Sequence, residues 1–189
     1  MFGPKELWLI RHGETDWSLT GQHTGRTDIP LTEAGRRRAI DLGKVLARKK
    51  FALVLTSPLS RARETCDLAG FGERAQVTGD LAEWDYGIFE GKTTREIRAE
   101  RPGWSIWQTD VPNGETVEAV AERAARVIEM ASAADGDVAL FAHGHILRIL
   151  TGRWLGLEPR SGRLFALDTG SIGVLGHEHE NRVIRAWNR

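Results

Sequence analysis

Two histidines stand where short apolar runs end. His12 follows Arg11 at the end of the run Leu7 to Ile10, and Gly13 comes next. His143 follows the run Val138 to Ala142, with Gly144 and His145 behind it. A third apolar run, Leu53 to Leu55, passes through Ser57 and Pro58 to Arg61 at the start of a helical pattern. If the three runs are neighbouring strands, these side chains converge, because ligands in open α/β sheets bind outside the carboxyl ends of the strands. The planar donor fork of arginine suits phosphate oxygens. A helix N-terminus at the same place adds backbone donors and a favourable dipole. The implied chemistry is capture of a phosphate group beside an imidazole. A neutral imidazole can attack phosphorus, and nearby cations stabilise the transferring charge while disfavouring protonation of the ring. The leaving oxygen then needs a proton. Glu83, in LAEWDYGIFEG among Trp84, Tyr86 and Phe89, is the candidate donor, and apolar surroundings would raise its carboxyl toward neutrality.

The elements that must position these residues follow from periodicity. The three apolar runs lack polar alternation and read as buried strands. SIGVLGH and RVIRAWN, separated by EHEN, read as a C-terminal hairpin. Thr32 caps a helix predicted through about Lys49, with Ile40, Gly43, Leu46 and Ala47 on one face. Gly43 costs roughly 1 kcal/mol against Ala there, so close packing is expected at it. From Thr116 to Ala133 the stripe Val117, Val120, Ala121, Ala124, Val127, Ile128 and Ala131 predicts a second long helix. Weaker patterns predict helices over Leu59 to Ala69, Thr93 to Glu100 and His145 to Leu155. Strands alternating with helices predict a three-layer α/β/α sandwich with a mostly parallel central sheet. The expectation is one domain over residues 1–189, with a small cap insertion at about 84–115. Within it Pro102 to Gly114 is a loop, and Trp104 and Trp107 make it a folded one.

Composition narrows the partners. The 189 residues carry 26 basic and 26 acidic side chains, so a nucleic-acid polyanion is not the expected ligand. No window is long and apolar enough for a transmembrane helix, so no membrane partner is expected. The opening MFGPKELWLI lacks the pattern of a secretory leader. The single cysteine, Cys66, reads as a small buried apolar residue. Together these predict a soluble cytoplasmic protein. His177 and His179 have no further ligand-type residues flanking them in a metal pattern, so they are read as part of a polar hairpin turn. Arg36, Arg37 and Arg38 are read as a solvated helix face. The apolar and aromatic C-terminal strands offer a surface for a homodimer.

LIRHGET, followed by GQHTGRTDIPLTEAG, SPLSRARET and AHGHILR in that order, resembles the histidine phosphatase superfamily, with its phosphoglycerate mutase-like fold. The motifs cover residues 7–148; the last forty match loosely. The resemblance implies that His12 is the nucleophile that becomes phosphorylated. It implies that Arg11, Arg61 and His143 complete the phosphate pocket and that Glu83 is the proton donor. Thr24 and Gly25 match positions near the substrate, and Ser18 stands where many members carry Asn. No cofactor and no metal is implied. EWDYGIFEG, NGET and AHGHILR look most like the sedoheptulose-1,7-bisphosphatase-like branch, whose substrates are sugar phosphates. On that likeness Ser57, Tyr86, His145 and Arg148 are the candidate substrate contacts.

Departures from the family pattern separate the activities. Cofactor-dependent mutases have Arg after the acidic residue, where this chain has Trp84, and a pair of arginines in the following insertion. Here that insertion reads ERPGWSIWQTDVPNGET, without the pair. The expectation is therefore hydrolysis of a small phosphorylated sugar or related metabolite through phosphohistidine. A cofactor-dependent phosphoglycerate mutase is the alternative. A non-catalytic phosphate- or phosphopeptide-binding module is the third reading, disfavoured because pure binding needs no proton donor. Each residue also has a plainer role open to it. Glu83 could be a surface acid, Arg61 a helix cap, Arg148 half of a surface ion pair, and Glu14 a brace for its loop.

Overall fold

The computed structural model describes residues 6–189. The first five residues, part of the stretch read above for a leader, lie outside the described residues. The three apolar runs form β1 (Leu7–Arg11), β2 (Phe51–Thr56) and β4 (Asp137–Ala142). A short β3 (Gln76–Val77) was not predicted, since two exposed residues carry no periodicity. The hairpin is β5 (Ile172–Glu178) and β6 (Asn181–Ala186). The sheet order is β3-β2-β4-β1-β5-β6. The first four strands in that order pair in parallel, and β5 and β6 add an antiparallel edge.

This order brings the three chemical strand ends together. Arg11 pairs with Ala142 and Thr56 with Phe141 in register. The next backbone bonds, from His12 N to Ala142 O and from Ser57 N to Phe141 O, carry the alignment one residue further. His12, Ser57 and His143 therefore emerge side by side.

Both faces of the sheet are covered, which explains why the strands lack polar alternation. Leu7 and Leu9 join one apolar cluster while Trp8 and Ile10 join the other. One face packs against α5 (Val117–Ala133) and α6 (Gly144–Trp154). The other packs against α2 (Glu33–Leu46) and α3 (Ser60–Leu68). Two shorter helices, α1 (Asp16–Thr20) and α4 (Thr94–Glu100), flank the site. The stripe predicted for α5 is the buried one in full, and Thr116 caps it by accepting from Ala119 N. Trp104 and Trp107 are buried, so the loop carrying them is folded as expected.

The face of α2 is a correction. Thr32 caps the helix, but it ends at Leu46, before Lys49. Its buried residues are Gly35, Ala39, Leu42 and Leu46, while Ala47 is exposed and Ile40 is 46% exposed. The rotation is set at Gly35, where a Cβ would stand 2.3 Å from the Glu14 carbonyl oxygen. That contact turns residue 35 inward, and positions 39, 42 and 46 follow at helical spacing. Gly43 does pack closely, against the Ala69 backbone. The arginine run is not simply solvated either. Arg36 pairs with Glu64 at 2.6 Å, Arg38 donates to the Gly170 carbonyl at 2.8 Å, and the exposed Arg37 reaches Glu33 at 3.8 Å.

Replacing Gly by Ala inside a helix ordinarily stabilises it by about 1 kcal/mol. At Gly35 the backbone clash reverses the sign. Gly35→Ala is expected to destabilise the fold by roughly 1–3 kcal/mol, and Ile40→Ala to change it by about 0.5 kcal/mol or less. Urea denaturation at constant m-value reads both.

Candidate active site

The Nδ1 of His12 lies 2.7 Å from the carbonyl oxygen of Gly13, the residue that follows it. A carbonyl only accepts, so Nδ1 carries the proton and Nε2 keeps its lone pair. The Gly13 N–H is itself held by the Thr65 hydroxyl at 3.0 Å. Burial, then Arg11 and Arg61, push the His12 imidazolium well below its usual range. The ring is neutral near pH 7, in the tautomer a nucleophile needs.

The ring of His143 stands 5.1 Å from that of His12. Its Nδ1 accepts from Arg61 Nε at 3.2 Å, since a guanidinium can only donate. Nε2 therefore holds the proton and donates to Ser57 Oγ at 2.7 Å. Burial and the charge of Arg61 hold His143 well below the ordinary histidine range.

Arg61 is fully buried in the first turn of α3. Besides His143 it donates to the carbonyls of Thr24, Gly25 and Thr27 at 3.0–3.1 Å. The opposite edge of that loop is held by Glu90, whose Oε1 accepts from Gly25 N at 2.8 Å and Thr27 N at 3.0 Å. The loop is thus clamped between a cation on its carbonyls and an anion on its amides. Gly25 is required by this clamp: a Cβ there would meet the Trp84 carbonyl oxygen at 2.5 Å and Glu90 Oε2 at 2.7 Å.

Arg11 donates to the Leu167 carbonyl, and its buried Nε has no partner among the described residues. Burial lowers its pKa despite the nearby Glu83. A desolvated guanidinium with an idle donor favours an anion.

Glu83 is buried, but its surroundings correct the expectation of an apolar niche. Oε1 accepts from Trp84 N and Ile146 N at 2.9 and 3.1 Å, and Oε2 accepts from His145 N at 3.0 Å. Two of these donors belong to the free N-terminal turn of α6, so the carboxylate caps that helix. This bond set was invisible in sequence, because Glu83 and His145 are sixty-two residues apart.

A cavity of about 190 Å³ opens over these groups. Arg11, His12 and Glu83 stand on its wall, as do Ser18 and Thr24. Tyr86, His145 and Arg148 complete the predicted set there. Arg61, His143, Ser57 and Gly25 stand behind the wall, where they hold it. The Ser18 hydroxyl is engaged in the cap of α1, accepting from Thr15 N and donating to Thr15 O. Glu14 braces the start of α2 by accepting from Thr32 Oγ1 at 2.7 Å. Tyr86 and His145 meet at 2.6 Å, hydroxyl to Nδ1. Burial, first of all, raises the phenol well above its usual value and lowers His145 well below its own.

Sequence reasoning missed His23, which shares this wall. Its ring lies tilted 4.9 Å from Tyr86 and edge-on 5.4 Å from Trp104, and burial lowers its pKa to about 4. The only signal was its place inside GQHTG; no charge partner or spacing marks it. His177 and His179 lie at the hairpin, as expected: His177 stacks on Trp154, and His179 takes φ 53° in the turn.

The family profile of the histidine phosphatase superfamily, branch 1, matches residues 7–189. The chain belongs to that superfamily. It is a histidine-phosphatase-type enzyme with the phosphoglycerate mutase-like fold. It is 42% identical over 182 residues to an acid phosphatase of Mycobacterium tuberculosis, covering 94% of this chain and 89% of that protein. It is 32% identical to sedoheptulose 1,7-bisphosphatase of Saccharomyces cerevisiae, covering 92% of this chain and 88% of the relative. A solved Mycobacterium tuberculosis structure superposes with a TM-score of 0.92 at 40% identity, over 97% of each chain.

The buried histidines give a pH prediction. His12, His143 and His145 have folded pKa values below 6.5, and His23 sits at about 4. Between those values and 6.5 the unfolded chain binds more protons than the folded one, so stability rises with pH in that window. Unfolding free energy should fall from pH 7 to pH 5 by roughly 1.4 kcal/mol per pH unit per fully shifted histidine once below pH 6.5. A flat profile from denaturant titrations would contradict the neutral-imidazole assignment.

Proposed function

We propose that the protein hydrolyses small phosphomonoesters, sugar phosphates foremost, through a phosphohistidine at His12. The observation that carries this reading is the bond between His12 Nδ1 and the Gly13 carbonyl, which leaves Nε2 unprotonated on the cavity wall beside Arg11. Nε2 attacks phosphorus as the ester P–O bond breaks. The departing electron pair stays on oxygen, which takes a proton from Glu83, whose carboxylic acid form begins the cycle. Water then attacks phosphorus and gives its proton to Glu83, the N–P bond breaks, and phosphate leaves. Arg11 faces the phosphoryl oxygens from the wall. Arg61 clamps the Thr24 loop and brings positive charge behind the wall, and the neutral His143 packs beside the His12 ring. Thr24, Tyr86 and His145 are the leaving-group contacts, and Ser18 stands at the phosphate.

The sugar-phosphate reading draws on the likeness to sedoheptulose 1,7-bisphosphatase and on a wall of hydroxyl and neutral imidazole groups that can pair with substrate hydroxyls. The cytoplasmic reading draws on the single cysteine, the fully buried Cys66, which can form no internal disulfide. No metal takes part in any step of this scheme.

The test is phosphate release from a panel of sugar phosphates and phosphoglycerates. His12→Ala should lower kcat by about 10³-fold or more, as loss of a covalent nucleophile does. Chelator should leave the rate unchanged. Full turnover by His12→Ala would overturn the scheme. Interconversion of phosphoglycerates with little phosphate release would replace it with a mutase.

A further inference from the structure

We propose that Thr65 is a positioning residue for His12: its hydroxyl fixes the Gly13 backbone in the orientation that gives His12 its nucleophilic tautomer. The proposal rests on the phosphatase reading above and adds to it a residue that touches no substrate.

The tautomer of His12 depends on where the Gly13 carbonyl points, since that oxygen accepts from Nδ1 at 2.7 Å. Residue 13 must be glycine for reasons of space. A Cβ there would stand 2.5 Å from the Gly35 carbonyl oxygen of α2. The same requirement brings a liability, because glycine has the freest backbone of all residues. The carbonyl that selects the tautomer is therefore carried by the residue least able to hold it still. Something outside the glycine must fix it.

Two partners do so, one on each edge of the peptide that joins His12 to Gly13. Its carbonyl, that of His12, accepts from Gly170 N at 2.8 Å. Its N–H, that of Gly13, donates to Thr65 Oγ1 at 3.0 Å. A peptide held at one edge can pivot about that bond; held at both edges it is fixed. Gly13 is buried and Thr65 fully so, which keeps bulk water from competing for the amide. The next anchor along the chain is the Glu14 carbonyl, which accepts from Thr32 N at 2.9 Å.

Thr65 is aligned in its turn. Its hydroxyl proton goes to the Arg61 carbonyl, four residues back on α3, at 2.7 Å. That bond leaves the lone pairs of Oγ1 for Gly13. Arg61 thus serves the site twice. Its guanidinium holds the Thr24 loop and bonds His143, and its carbonyl, through Thr65, steadies the backbone beside His12. The two histidines that face each other are braced from one turn of one helix.

Three substitutions grade the acceptor while changing size little. Thr65→Ser keeps the oxygen, Thr65→Cys offers a weak sulfur acceptor, and Thr65→Val offers none. Nitrogen–proton correlation spectra at neutral pH separate the Nδ1–H from the Nε2–H tautomer of His12. Rapid quench with a hydrolysed sugar phosphate at saturation gives the rate constant for phosphorylation of His12 per folded molecule. That rate should stay near wild type in Thr65→Ser and fall about tenfold in Thr65→Val, the equivalent of one buried hydrogen bond. Thr65→Cys should lie between them, and the Nε2–H tautomer should grow in the same order. Competitive inhibition by inorganic phosphate should not weaken, because Arg11 and the cavity wall are untouched. If Thr65→Val does not fold, the comparison of Ser with Cys carries the same test. Wild-type rate and tautomer in the variants without a good acceptor overturn the proposal. So does a parallel loss of rate and phosphate inhibition that Thr65→Ser fails to rescue, the mark of a residue that only supports the fold. A wild type that turns over without phosphorylating His12 overturns the reaction scheme instead, and the tautomer comparison still judges Thr65.

Discussion

Two guanidinium groups are buried at the carboxyl edge of this sheet with no carboxylate in hydrogen-bond range of either among the described residues, Asp28 reaching Arg61 only at 3.9 Å, and much of the site follows from that. Burying unpaired charge is costly unless polar groups compensate. Arg61 is answered by three loop carbonyls and one imidazole nitrogen, Arg11 by one carbonyl. The compensation is incomplete at Arg11, whose Nε stays idle. Burial first, and this residual field second, keep His12 and His143 neutral, and in the proposed scheme the field gives an entering phosphoryl group its partner. Glu83 is the main opposing charge in this field, acting at a distance, since its oxygens accept from the Trp84 amide and from two amides at the start of α6.

The fold makes that arrangement affordable in strain. Parallel β1, β4 and β2 lie next to one another, so residues distant in sequence reach the same edge through ordinary ladder bonds. Apolar side chains leave each of these strands on both faces into two clusters, and α5, α6, α2 and α3 cover them. The tautomer of His12 is then decided by a backbone carbonyl one residue away. The loop at Thr24 is less local. It depends on Arg61 from α3 on one edge and Glu90 on the other, so the segment carrying Glu90 is tied mechanically to the cavity wall.

What could be read in sequence was what periodicity and punctuation encode. The strand ends at His12 and His143, the α5 stripe, the hairpin and the cap residues Thr32 and Thr116 all follow from local pattern. What could not be read depends on contacts across the chain. The inward face of α2 is set by Gly35 against Glu14, which displaced Ile40 to the surface. The niche of Glu83 is lined by amides contributed from α6, so inference from its aromatic neighbours in sequence misjudged it. Arg61, expected to grip phosphate directly, spends most of its donors on the loop. His23 enters the wall through tilted and edge-on ring contacts, which have no spacing rule.

The central claim is that His12 Nε2 accepts the phosphoryl group, and trapping it is the most direct measurement. The protein is mixed with a hydrolysed sugar phosphate, denatured within the first turnovers, and mapped by mass spectrometry under alkaline conditions that spare phosphohistidine. The account predicts one phosphoryl group on His12, sensitive to acid, with none on His143, His145 or His23. Steady hydrolysis with no phosphorylated His12 at any quench time, or a phosphoryl group on another histidine, would contradict it.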